Sequence, residues 1–253
     1  MDHIDPDSGA MKRPRFGRAS RFHGMNRDVK QRLVRVTDRL HDPMLSVLTV
    51  LLAILIFGIV PLRAAGIFMA QGYGFAMTLL LASCVLILSK RLLAIFFMMV
   101  AVALAAAAVV IRVKLDSTLD LYVEAGASLT INVLLIVVVA RAVFAPGVVT
   151  YHRVIGAVLL YLTIGLTFVS LFTFVGLLAP NAFSGMPLGY GAPFTSSVIY
   201  FSFVTLTSTG YGDITPIHPL ARALCNLEGI IGQLFPATLL ARLVTLELQS
   251  RRG

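Results

Sequence analysis

Gly-Tyr-Gly occurs three times in this chain, at residues 72–74, 189–191 and 210–212. Each copy raises the same chemistry. Backbone carbonyls that all turn inward can replace the water around a bare cation, in a backbone geometry that residues with side chains resist unless glycines alternate with them. Gly-x-Gly meets that need, but loops beside apolar helices are also rich in Gly and Tyr, so the flanks decide. Gly72 to Gly74 lies between Gln71 and Phe75 at the end of an apolar run and reads as a turn. Gly189 to Gly191 follows "APNAFSGMPL", where turn residues stand throughout, and reads as an exposed loop. Gly210 to Gly212 is preceded by the hydroxyls Thr207, Ser208 and Thr209 and followed by Asp213.

The segments around this third copy suit a cation at membrane depth. Pro193 is a good first-turn residue, and "FTSSVIYFSFVTL", Phe194 to Leu206, gives a helix of roughly 20 Å, too short to cross a bilayer. A half-helix that stops inside the membrane points its partly negative carboxyl end at the middle. Irregular backbone at that depth is tolerated only when it is buried in protein or lines an aqueous path. An apolar span of about 30 residues follows, from Pro219 to Leu248.

Composition agrees with a lipid surrounding. Of 253 residues, 58% are hydrophobic and only 13% charged, and the mean hydropathy is +0.89, far above that of a soluble domain. Further apolar runs begin at Pro43 (ending near Pro61), Tyr73 (to Leu88), Leu92 (to Ile111), Leu121 (to Val143) and Val154 (to Leu178). The fold expected is an all-α integral membrane protein with six transmembrane helices, a re-entrant pore helix and a filter loop. Three parts follow: a segment 1–42, a four-helix membrane bundle 43–145, and a pore module 146–253.

Residues 1–42 hold ten Lys or Arg against six Asp. Lys90, Arg91, Arg141, Arg153, Arg251 and Arg252 fall on the same side if six spans cross, which places both termini in the cytoplasm; Arg63, Arg112 and Lys114 fall opposite. Residues 1–24 read as disordered, and Val29, Leu33, Val36 and Leu40 mark an interfacial amphipathic helix. The net charge of +9 is concentrated near the membrane and suits anionic headgroups, not nucleic acid. The fourth span carries Glu124, Asn132 and Arg141 but no ladder of arginines, so strong voltage sensing is not expected. Cys84 and Cys225 read as small core residues. His3, His23, His41, His152 and His218 have no ligand spacing, and no catalytic constellation or cofactor motif stands out.

"TLTSTGYGDITP" resembles the pore-loop signature of potassium channels, and the likeness extends from about Val154 to Leu248 as outer helix, pore helix, filter and inner helix. The resemblance is to a six-span, bacterial-type channel with one pore loop per subunit, and it implies a homotetramer conducting K+ in a cell membrane. It implies that K+ is held by the carbonyls of Ser208, Thr209, Gly210 and Tyr211, with the Ser208 hydroxyl at the innermost site. Thr207, Gly212 and Asp213 would support the filter, and Tyr200 and Phe201 would form a cuff for Tyr211. Two residues depart from the family pattern: Ser208 stands where Thr is usual, losing the methyl that restrains the rotamer, and Thr209 adds a hydroxyl that needs a partner. Gly232 matches the position of a gating hinge, with close helix packing as the other reading; Pro236 lies one turn on, and Gln233 would line the cavity. Glu228 is an ionisable group at membrane depth, serving either a hydrogen bond to a pore-helix Thr or Tyr or a gating role. The short stretch after the last span leaves no cytoplasmic regulatory domain in view, so gating falls to the membrane domain, the amino-terminal segment or a partner. A weakly selective cation channel, a potassium-uptake transporter and a non-conducting sensor or scaffold remain as alternatives.

Overall fold

A computed structural model of the chain describes residues 46–67, 73–88, 92–114, 119–144, 151–179, 181–187 and 191–252. The expected disordered tail and interfacial helix of residues 1–42 lie outside the described residues, as do Lys90 and Arg91.

Seven helices are described. Five are long and apolar enough to cross a membrane: α1 (Ser46–Ala64), α3 (Leu92–Lys114), α4 (Leu119–Val143), α5 (Tyr151–Leu178) and α7 (Pro219–Arg252). The chain is therefore an all-α, multi-pass membrane protein. Between α1 and α3 lies α2 (Tyr73–Leu88), whose 16 residues give about 24 Å, short of a full hydrocarbon core. The remaining helix, α6 (Ala192–Leu206), has 15 residues, or about 22 Å.

The first span runs past Pro61, where the sequence reading ended it, by means of a π-turn at Leu55–Ile59 in which the Val60 N–H reaches the Leu55 carbonyl. Proline lacks an N–H and its ring crowds the carbonyl four residues back. The wider turn immediately before Pro61 relieves that crowding, so the helix continues to Ala64.

Small residues let the bundle pack closely. On α3, Ala94, Met98, Ala101, Ala105 and Ala108 recur at four and three residues and are buried, forming one stripe against its neighbours. α4 packs on α2, α3 and α5, and α5 in turn on α6 and α7. A polar seam joins α4 to α5: Asn132, 1% exposed, donates from Nδ2 to the Leu166 carbonyl at 3.1 Å, beside Ser128 and Ser170, whose hydroxyls lie 3.2 Å apart. Nearer the end of α5, Tyr122 donates to the Leu177 carbonyl at 2.9 Å.

A two-residue ladder closes the segments flanking α6. Strand β1 (Phe183–Ser184) pairs antiparallel with β2 (Thr215–Pro216), in the register Phe183 with Pro216 and Ser184 with Thr215. Beneath it Phe172, Phe183 and Phe201 meet edge to face, with centroids 5.1 to 5.8 Å apart. This aromatic knot holds the stretch before α6 against α5 and α6, and the ladder ties the stretch after α6 to it.

Candidate functional site

The segment Thr207–Asp213 begins as the cap of α6. Thr209 N–H reaches the Val204 carbonyl and Ser208 N–H the Thr205 carbonyl, each at 2.9 Å, the paired bonds of a Schellman ending. Such an ending wants a left-handed residue, usually Gly, and Ser208 fills it at φ 56°, the one non-glycine with positive φ among the described residues. A side chain there costs about 1–2 kcal/mol. Gly210 at φ 56° and Gly212 at φ 81° repeat the left-handed geometry at every second residue, while Thr209 and Tyr211 between them do not. Alternation of this kind rotates successive peptide planes so that their carbonyls share one side, where an ordinary strand would alternate them.

The hydroxyls along this turn are each committed. Thr207 Oγ1 lies 2.7 Å from the Phe203 carbonyl and 2.8 Å from Thr209 Oγ1. A carbonyl can only accept, so the single Thr207 hydrogen goes to Phe203 and Thr209 donates to Thr207. The hydroxyl that Thr209 adds to the family pattern therefore has its partner two residues away. Ser208 Oγ accepts from Gln233 Nε2 of α7 at 2.8 Å. With Tyr161 of α5 donating to the Leu206 carbonyl at 3.2 Å, the carbonyls from 203 to 206 at the end of α6 all have donors.

α7 reaches this turn because Gly232 has no side chain. A Cβ there would overlap the Leu206 carbonyl oxygen, so the helix passes the end of α6 backbone to backbone and brings Gln233 beneath Ser208. Of the two readings of Gly232, close packing is the one with a contact. Pro236 lies inside α7, which continues as one helix from Pro219 to Arg252; its missing N–H leaves the Gly232 carbonyl without the usual intrahelical donor.

Glu228, fully buried, has its partner on α6, but the partner is Ser202, where the sequence reading expected Thr or Tyr. Ser202 Oγ lies 2.6 Å from Glu228 Oε1 and 2.9 Å from the Gly165 carbonyl of α5. Ser202 donates to Glu228 Oε1, and the Gly165 carbonyl stands within reach of the same hydroxyl. The other carboxyl oxygen, Oε2, is buried and has no hydrogen-bond partner among the described residues. The triad ties α5, α6 and α7 together behind the turn.

The aromatic residues divide. Tyr200 stacks on Tyr211 with planes 4° apart and centroids at 6.2 Å, and its hydroxyl approaches the Asp213 carboxylate. Phe201 faces the other way, into the knot with Phe172 and Phe183. Thr209, Gly210, Tyr211, Gly212 and Asp213 are exposed on the single chain, Tyr211 by 70%. Sequence reasoning missed Ser202 and Tyr161. The demand of a buried Glu228 for a partner was the available signal for Ser202; Tyr161 had none.

Residues 154–248, which contain α6, the turn and most of α5 and α7, match the family model described as Ion channel. No curated protein and no solved structure matches the chain. The match is to a channel and not to an enzyme, and among the described residues no group of three or more His, Cys, Asp or Glu is placed to hold a metal ion. The chain is a helical membrane protein, and residues 154–248 are similar to an ion-channel family.

Proposed function

We propose that the protein is a potassium-selective channel in which four identical chains surround one pore, and the carbonyls of Ser208, Thr209, Gly210 and Tyr211 replace the hydration shell of K+. The observation that carries this reading is the alternation of left-handed geometry at Ser208, Gly210 and Gly212, directly after a helix too short to cross. A strained non-glycine residue persists where its surroundings hold it, and such strain clusters at functional sites. α6 then acts as the re-entrant pore helix, α5 and α7 as outer and inner helices, and Thr207, Gly212, Asp213 and Tyr200 as supports of the filter.

A fourfold assembly is supported by α7. It is the span least covered by its own chain, yet it exposes Asn226, Gln233 and Thr238. A helix facing only lipid would not present amides to it; one facing copies of itself and a watery cavity would. With α2 counted as a crossing there are six spans, both termini are cytoplasmic, and the basic amino-terminal segment lies near anionic lipid. α1 to α4 form a membrane bundle without a charge ladder, which makes voltage a poor candidate for the opening stimulus.

Gly210→Ala tests the filter. No atom crowds a Cβ at this position, so the substitution acts through φ alone, at about 1–2 kcal/mol in each of four chains. Potassium flux into liposomes falls to background while the protein still expresses and purifies. Undiminished selective flux would overturn the assignment.

A further inference from the structure

We propose that Gln233 is the positioning residue of the innermost ion site, its amide holding the Ser208 hydroxyl toward the pore axis. This rests on the filter reading above and adds to it a part that neither the turn nor the helix supplies alone.

A serine side chain chooses among three staggered rotamers, whereas the branched methyl of threonine narrows the choice. At the end of α6, Thr205 is bonded to the Phe201 carbonyl of its own helix, Thr207 to Phe203, and Thr209 to Thr207. Ser208, by contrast, is held from another element, by Gln233 Nε2 of α7 at 2.8 Å. The contact depends on the bare backbone of Gly232 against Leu206. Gln233 supplies from outside the restraint that a branched side chain would supply from within.

The chemistry of the amide fits a cation site. Its N–H occupies one lone pair of the Ser208 oxygen and leaves the second for an ion. A lysine would make the same bond but set a positive charge beneath the filter, and a carboxylate would turn the Ser208 hydrogen toward itself. A neutral donor fixes the oxygen without altering the charge at the mouth.

Gln233→Met keeps the length of the side chain and removes the donor; Gln233→Asn keeps the amide and, one methylene shorter, cannot reach. Both are recorded in planar bilayers beside the unaltered protein, with assembly checked by elution volume, for the K+ to Na+ permeability ratio and for block by Ba2+ applied from the inner side. Ba2+ is close to K+ in size, so its block reads the innermost site. The expected result in either variant is a fall of roughly fivefold in the ratio and a matching weakening of block, the worth of one neutral hydrogen bond. In a Ser208→Thr background, which sets its own baseline, adding Gln233→Met changes the ratio less than about twofold, because the two restraints are redundant. Unchanged selectivity and block in both single variants would overturn the proposal, as would an equal fall in the serine and threonine backgrounds. An unaltered protein that does not select K+ would instead overturn the filter reading itself.

Discussion

Glu228 of α7 accepts from Ser202 of α6, whose hydroxyl also lies within reach of the Gly165 carbonyl of α5, and this makes the response to substitution specific. Glu228→Gln keeps shape and leaves an amide oxygen to accept from Ser202, so melting of the purified protein shifts by less than about 1 kcal/mol equivalent. Glu228→Lys puts an ammonium among apolar neighbours with no counter-charge and costs about 3–5 kcal/mol, enough to prevent recovery of assembled protein. Gel-filtration thermostability separates the cases, and a Gln variant as damaged as the Lys variant would contradict a role carried by shape and the Ser202 hydrogen bond. Glu228 stood out in the sequence because an ionisable residue in an apolar helix needs a reason. Ser202 did not, because α6 carries several hydroxyls and which of them meets α7 depends on how the two helices are rotated against each other. The turn from Thr207 to Asp213 was legible as a motif for the opposite reason: its residues are covalent neighbours, and their geometry is local.

α6 is fixed at both ends, by Gly191 and Pro193 at its start and by the Schellman bonds at its finish, and α7 crosses it where Gly232 meets Leu206. Gly232→Ala therefore pushes two backbones apart. The expected cost is about 1–3 kcal/mol per chain from overpacking, seen as a lower melting temperature together with reduced current. A hinge alone would predict altered opening with unchanged thermal stability, so the two measurements taken together decide between the readings. Most spans were readable from the length of uncharged runs. The passage of α1 through Pro61 was not, since proline is a helix breaker unless a π-turn makes room, and that adjustment leaves no mark in residue type. Likewise Phe201, one residue from Tyr200, looked equally suited to the aromatic cuff until the rotation of α6 turned it toward Phe172.

At the scale of the whole molecule, the single chain leaves Tyr211 and the turn around it exposed, and α7 presents Leu227, Ile230, Leu234, Leu240 and Val244 outward. Four copies about an axis would cover this surface and bring four sets of carbonyls together, with the α4–α5 seam at Asn132 fastening the surrounding bundle to the pore. The most direct test of that account is the reversal potential of the purified protein in a planar bilayer, with K+ on one side and Na+ on the other. The account predicts a reversal near the potassium equilibrium potential, with K+ favoured by at least about a hundredfold, or roughly 2.7 kcal/mol of discrimination. A reversal near zero, with both ions passing alike, would contradict it.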